Sequence, residues 1–105
     1  MVGTKPPAEK PNYFLGDPLA IGSVVVPNRV VLAPMSGITD APFRRLAERL
    51  GAGLVVSEMT ACGGLARGER EASVRSEGAG IGIHVVQLAG CEPQWMAEGA
   101  RIAEA

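Results

Sequence analysis

Apolar residues along the chain form short clusters that predict β-strands. Two of them flank Gly22 and Ser23, which predicts a hairpin over residues 19–26. Three longer clusters predict buried strands at residues 29–33, 54–57 and 82–89. Helical segments lie between or after these strands, and this alternation is typical of a parallel sheet with covered faces.

The clearest helix is predicted directly after the first buried strand. Asp40 is a suitable N-cap, and Pro42 falls in the first turn, where a missing N–H breaks no hydrogen bond. Apolar residues recur at helical spacing and predict a core-facing side made of Phe43, Leu46, Ala47 and Leu50. The opposite side would carry the charged residues Arg44, Arg45, Glu48 and Arg49. Gly51 is the expected C-cap.

The second half of the chain is less regular. Residues 60–80 are rich in Gly, Ala and charge, and we interpret them as a loop with a short helix. Residues 78–82 contain three glycines but precede a strand, whereas a dinucleotide-binding fingerprint must follow one, so we interpret them as a loop. Pro93 begins a second helix, whose shared face is predicted to contain Met96, Ala100 and Ala103. This helix is expected to continue through Ala105 without a cap.

The predicted elements divide the chain into two parts. Residues 1–18 hold four of the eight prolines and are predicted to form an extended arm. Three parallel strands would leave an open apolar edge, and a (β/α)8 barrel needs about 250 residues. We therefore expect an α/β protein in which residues 19–105 are the truncated N-terminal part of a (β/α)8 TIM barrel that begins with a short β-hairpin.

Composition removes several classes of function. Ten Lys and Arg residues against eleven Asp and Glu give a net charge of −1, which excludes a free-standing basic nucleic-acid-binding module. Two cysteines and one histidine are too few for a structural zinc site. The sequence lacks a signal peptide and any apolar stretch of about 20 residues. We expect a cytoplasmic protein without a metal or a membrane partner.

The best candidate for chemistry lies in residues 28–44. A strand, a turn bracketed by prolines and a capped helix follow one another there, and loops after barrel strands form the catalytic face. Pro34 and Gly37 would fix an irregular backbone that presents N–H and C=O groups to a ligand. An ordinary tight loop is the simpler alternative, and the residues alone favour it.

Residues 28–44 resemble the N-terminal signature of the tRNA-dihydrouridine synthases, which are flavin-dependent TIM-barrel enzymes. Residues 51–59, residues 85–90 and the helix that begins at Pro93 agree with the bacterial branch in the same order. The resemblance covers about residues 19–105. Its Asn-Arg and Ala-Pro-Met elements are shared with flavin barrels of the old yellow enzyme type. The Gly-Ile-Thr-Asp-Ala-Pro-Phe-Arg run and the later Ser-Glu-Met are more specific.

The resemblance implies FMN as cofactor. Pro34, Met35 and Ser36 match the first flavin-contacting turn of the family, and Gln87 matches a flavin-contacting glutamine. A glutamine amide offers one donor group and one acceptor, which suits the alternating pyrimidine edge of a flavin. Ser57 and Glu58 end a strand at the same expected edge, and they are equally well interpreted as site residues or as a cap for the next helix.

The activity implied by the resemblance is reduction of uridine to 5,6-dihydrouridine in tRNA, with NADPH reducing the flavin. A family cysteine protonates C5 of uracil, but it follows a later strand in an Asn-x-x-Cys-Pro context that these 105 residues lack. We therefore expect that cysteine to lie beyond Ala105 and no catalytic residue to be present in this chain. We interpret Cys62 as a loop thiol, Cys91 as a helix-start residue and His84 as structural or exposed.

Two alternatives remain open at this point. One is another FMN-dependent TIM-barrel oxidoreductase, of the old yellow enzyme type, acting on a small conjugated carbonyl. The other is an inactive truncated fragment. In the family the main RNA-binding surface lies in a later helical domain, which is compatible with the absence of a basic patch. We expect the 105 residues alone to be colourless, aggregation-prone and inactive.

Overall fold

The structure, a computed structural model, describes Gly3 and residues 14–105. Its strands are β1 (Leu19–Ile21), β2 (Val24–Val26), β3 (Val31–Leu32), β4 (Leu54–Val56), β5 (Thr60–Ala61), β6 (His84–Val85) and β7 (Leu88–Ala89). Its helices are α1 (Ala41–Arg49), α2 (Cys62–Ala66), α3 (Arg70–Arg75) and α4 (Pro93–Glu104). Most of the predicted arm lies outside the described residues. Its last part contains a turn in which Phe14 N donates to Asp17 Oδ2 at 2.8 Å.

The central sheet confirms the predicted order and direction of its three strands, but the predicted burial holds only for β4, since Val31 of β3 and Val85 of β6 are exposed. β3, β4 and β6 are neighbours in that order and both pairs are parallel, with Val31 opposite Leu54 and Val55 opposite His84. β1 and β2 pair antiparallel around the turn at residues 22–23. The α/β class with parallel strands is therefore confirmed, and the complete eight-stranded barrel stays a prediction.

The prediction of one continuous strand over residues 82–89 is wrong. β6 pairs with β4, but β7 leaves this sheet and pairs in parallel with β5. At the break, the side chain Oγ of Ser57 accepts the Gln87 N–H at 3.1 Å, and Gln87 O accepts the Thr60 N–H at 2.9 Å. A side-chain acceptor thus takes over where the regular backbone ladder ends.

Residues 60–80 are more ordered than the predicted loop with one short helix. They contain β5, α2 and α3, and three of their apolar side chains are buried in the core: Cys62, Leu65 and Ala72. Gly64 permits a close approach, since a Cβ there would lie 2.7 Å from Glu69 Oε2. The small residues of this segment therefore allow tight packing.

The ends of α1 agree with the sequence signals. The Asp40 side chain accepts the Phe43 N–H at 3.0 Å, and Pro42 lies in the first turn, so the predicted N-cap is confirmed. The C-cap is Leu50 rather than Gly51. Gly51 follows it with a φ of 113°, a backbone conformation that glycine adopts without the strain that a Cβ would cause.

The predicted core-facing side of α1 is wrong. Phe43 and Leu50 are 41% and 81% exposed, whereas Arg44 on the predicted polar side is fully buried. Helical periodicity therefore identified an apolar face without identifying the face that meets the rest of the fold.

Within the described residues, no helix is long and apolar enough to cross a membrane.

The helix α4 differs from its prediction on its buried face. Gly99 is buried and packs against Cys62, since a Cβ at Gly99 would lie 3.3 Å from Cys62 Sγ, whereas Ala100 is exposed. The helical hydrogen-bond pattern continues to the last residue, since the Ala105 N–H donates to Arg101 O at 3.2 Å.

Gly53 occupies a position before β4 where no side chain fits. A Cβ there would lie 2.6 Å from Asn28 Oδ1 and 2.7 Å from Asn28 O. The Asn28 amide is fixed, because its Oδ1 accepts the Val30 N–H at 2.9 Å and its Nδ2 donates to Gly51 O at 2.7 Å. The backbone at Gly53, just before β4, therefore packs against the Asn28 side chain, which cannot move without losing its two hydrogen bonds.

We expect Gly53→Ala to lower the free energy of unfolding by about 2 kcal/mol, because the added methyl group overpacks this junction. Urea unfolding of the purified protein measures the change. Gly16→Ala is the matched control, since a Cβ at Gly16 meets no atom within 4 Å. Equal stability of the two variants would contradict the packing argument.

Candidate functional site

The carboxyl ends of the three central strands meet at one edge of the sheet. β3 is followed by residues 34–37, β4 by residues 57–59 and β6 by residues 86–87. Because the strands are parallel neighbours, these segments lie side by side, and this edge is where parallel α/β proteins place ligand-binding loops.

The turn after β3 is held by a buried threonine. Met35 N donates to Thr39 Oγ1 at 2.8 Å, and Met35 O accepts the N–H groups of Ile38 and Thr39, each at 3.0 Å. Gly37 has a φ of 76°, which suits a residue without a Cβ. Pro34 is half-buried, whereas Met35 and Ser36 are exposed. The turn is thus rigid on its inner side and open on its outer side.

Glu58 links this turn to β4. Its carboxylate Oε2 accepts the Gly37 N–H at 2.9 Å, although the residue is only 6% exposed. The neighbouring Ser57 accepts the Gln87 N–H, as described above. The structure therefore brings together all the predicted site residues: Pro34, Met35, Ser36, Ser57, Glu58 and Gln87.

The alternative role of Ser57 and Glu58 as a helix cap is wrong. The N-cap residue of α2 is Ala61, and that of α3 is Glu69; neither makes a side-chain capping hydrogen bond. Ser57 and Glu58 instead direct their side chains across the strand ends. Their polar groups are used to join segments that are distant in sequence.

The Gln87 side chain has unused hydrogen-bonding capacity. Its backbone N–H and C=O are both bonded, which fixes its position between β6 and β7. Its side-chain amide takes part in no hydrogen bond within the described part of the chain. One donor group and one acceptor therefore remain available at the sheet edge, which is a donor set suited to a flavin pyrimidine edge.

Sequence reasoning missed Arg75 in α3. Its guanidinium Nη1 lies 3.5 Å from Glu58 Oε2 and 3.4 Å from both Ser36 Oγ and Met59 O. Its Nη2 lies 3.2 Å from Glu71 Oε1. No local motif marks this arginine, since its partners on the site are up to 39 residues away.

The interpretation of Cys62 as a loop thiol is wrong, because Cys62 begins α2 and is only 1% exposed. Its Sγ lies 3.2 Å from Met96 Sδ, away from the hydrogen-bonded cluster described above. Cys91 is exposed and immediately precedes Glu92, the N-cap residue of α4. A catalytic cysteine beyond Ala105 stays a prediction.

Among the residues that the structure describes, no group of three or more His, Cys, Asp and Glu side chains is placed to hold a metal ion.

His84 behaves as a structural residue in β6. A Cβ at Gly78 would collide with its imidazole, so the two residues are in close contact. Burial, and secondarily the nearby Arg44 cation, lowers the pKa of His84. The neutral imidazole is therefore favoured in the folded protein.

These observations define a parallel βα protein with a polar cluster at the carboxyl edge of its sheet. A family model described as dihydrouridine synthase (Dus) matches residues 31–105, and the chain belongs to this family. The match includes every residue of the cluster.

Curated relatives support the same family. The chain is 60% identical over 78 residues to a probable tRNA-dihydrouridine synthase of Rhizobium leguminosarum bv. phaseoli, covering 74% of this chain and 25% of that protein. It is 49% identical over 84 residues to tRNA-dihydrouridine synthase B of Xanthomonas campestris pv. campestris, covering 79% and 25%. The chain thus spans about a quarter of the length of the curated relatives it matches. No solved structure matches it significantly.

Proposed function

We propose that the protein containing this chain reduces uridine to 5,6-dihydrouridine in tRNA, with FMN as cofactor and NADPH as reductant. The observation that carries the proposal is the overlap between the family match and the cluster at the sheet edge. The residues that resemble the flavin-contacting positions of the family follow β3 and β6, which flank β4 in one parallel sheet, although Pro34 and Gln87 are far apart in sequence.

The residues at this edge fit FMN chemically. Bound FMN would supply hydride chemistry at C6 of uracil, with NADPH as the source of the electrons. Gln87 would bind the cofactor through its free amide, and the turn at residues 34–36 would orient it through backbone groups. Met35 is exposed at this turn and offers an apolar, polarizable contact.

The chain supplies binding and orientation rather than proton transfer. Glu58 is buried and already accepts the Gly37 N–H, so its carboxylate is a structural acceptor. Cys62 is buried against Met96 and Gly99, so it is not the acid for C5 of uracil. We assign that proton to a cysteine beyond Ala105, as the family resemblance implies. The remaining barrel and the tRNA-binding surface belong to the same proposal.

Expression of the full-length gene product in a host that lacks its own dihydrouridine synthases tests the function. We expect dihydrouridine to reappear in digested tRNA, as measured by mass spectrometry of nucleosides. The purified protein should be yellow and should oxidise NADPH. Cys62→Ala and Cys91→Ser should both retain tRNA reduction. A flavoprotein that reduces a small conjugated enone but leaves tRNA unchanged would instead support the old yellow enzyme alternative.

A further inference from the structure

Arg75 joins two segments of the sheet edge that no backbone hydrogen bond connects directly. Through Nη1 it reaches the Ser36 hydroxyl after β3 and both the Glu58 carboxylate and the Met59 carbonyl after β4. Arg75 lies at the C-terminal end of α3, so a helix that follows the segments after β3 and β4 in sequence contacts both of them.

The Glu58 carboxylate is buried, so its charge has to be compensated by nearby hydrogen-bond donors or cations. A buried carboxylate without compensating contacts costs several kcal/mol relative to water. The Gly37 N–H at 2.9 Å and the Arg75 guanidinium at 3.5 Å both face the same oxygen, Oε2. The backbone amide and the cation together stabilise the charged carboxylate. Removing Arg75 would leave Glu58 with the Gly37 N–H and the charge of Arg44 as its remaining compensation, and would weaken its hold on the turn.

We propose that Arg75 and Glu58 are positioning residues for the cofactor-binding turn. Arg75 holds the Glu58 carboxylate, Glu58 holds the Gly37 amide, and Arg75 also contacts Ser36 directly. The turn at residues 34–37 is thereby kept in one conformation before the ligand arrives, which lowers the entropy lost on binding. This inference rests on the proposed function, since the ligand is FMN.

Two features separate this role from that of an ordinary surface ion pair. Glu71, the exposed partner of Arg75 at i,i+4, belongs to α3 itself and supports only the helix. Glu58 and Ser36, in contrast, lie on the site, and Glu58 is buried. The contact between Arg75 and Glu58 is therefore weakened less by solvent screening than an exposed ion pair would be.

The test measures FMN affinity of the full-length apoprotein by quenching of flavin fluorescence. Arg75→Met is expected to weaken FMN binding about tenfold, the effect of losing one charge-assisted contact behind the turn. Arg75→Lys should recover part of the affinity because it keeps the charge. Arg70→Met is the matched control on the same helix, since Arg70 is exposed and makes no hydrogen bond or ion pair within the described residues.

A coupling measurement shows whether Arg75 acts through Glu58. Glu58→Gln alone should weaken FMN binding to a similar degree, and the double variant should be little worse than either single variant. Thermal midpoints of the apoproteins are measured in parallel. Wild-type-like FMN binding by Arg75→Met, or full multiplication of the two effects in the double variant, would overturn the positioning role. Wild-type protein that binds no FMN would instead refute the proposed function.

Discussion

Replacing Arg44 by methionine is expected to lower the free energy of unfolding by about 3 kcal/mol, because three buried or partly buried carbonyls would lose a charged donor. Arg44 is fully buried and donates to three carbonyls: to Thr39 O at 2.6 Å, to Glu77 O at 2.7 Å and to Arg75 O at 3.1 Å. Methionine fills part of the volume but donates no hydrogen bond. The Thr39 carbonyl would then lose its donor in a buried place, and the Arg75 and Glu77 carbonyls would lose theirs in partly buried places.

The three hydrogen bonds of Arg44 also explain why its positive charge is tolerated in the protein interior. Burial lowers the pKa of the Arg44 guanidinium, and the carboxylates of Glu58, Glu77 and Asp40 act in the opposite direction. Arg44 connects the start of α1 to the segment after α3. Its loss should therefore loosen both the turn at residues 34–39 and the end of α3.

Chemical denaturation of the purified protein without added FMN measures this effect. Arg49→Met is the matched control, because Arg49 is exposed on the same helix and makes no side-chain hydrogen bond or ion pair among the described residues. Its replacement should change the free energy of unfolding by less than about 0.5 kcal/mol. If Arg44→Met were as stable as Arg49→Met, the three hydrogen bonds would contribute nothing measurable to folding.

The features that local sequence signals predicted are those fixed by short-range chemistry. Asp40 and Pro42 specify where α1 begins, because a capping side chain and a residue without an N–H satisfy the helix terminus by themselves. The apolar clusters before Pro34 and Ser57 specify parallel strands, of which β4 is buried and β3 is not. Since parallel strands align their carboxyl ends, the placement of Pro34 and Gln87 at the same edge of the sheet followed from the strand directions alone.

The features that were missed depend on partners far away in sequence. Helical periodicity placed Phe43, Leu46 and Leu50 on one face, but it cannot say which face meets the rest of the fold. Arg44 is buried because it donates hydrogen bonds to the carbonyls of Arg75 and Glu77, which are 31 and 33 residues away. No local sequence pattern predicts contacts over that distance. The contacts of Arg75 with the turn after β3 and the segment after β4 are equally non-local.

The split of the third strand has a similar origin. Residues 82–89 are apolar enough for one continuous strand, and periodicity alone supports that interpretation. The Ser57 hydroxyl ends the ladder by taking the Gln87 N–H, and β5 then offers a new edge to β7. Gln87 therefore lies at the point where the chain changes sheets. A side chain there can face a ligand without interrupting a regular strand.

Gln87→Ala is expected to weaken FMN binding by the full-length protein about tenfold, because one or two buried hydrogen bonds to the cofactor are lost at about 1 kcal/mol each. The backbone of Gln87 is held by Ser57 and Thr60, so truncation of its side chain should leave the fold intact. FMN retained after gel filtration, and the dissociation constant from fluorescence titration, measure the effect.

Two further variants separate cofactor binding from a general loss of structure. Gln87→Glu keeps the shape but presents only acceptors when ionised, so it should bind FMN no better than Gln87→Ala. Gln94→Ala makes the same truncation at an exposed position of α4 and should retain FMN fully. Retention of FMN by Gln87→Ala at the wild-type level would remove Gln87 from the site. The proposed function would then have to rest on other contacts at the sheet edge, beginning with the turn at residues 34–36.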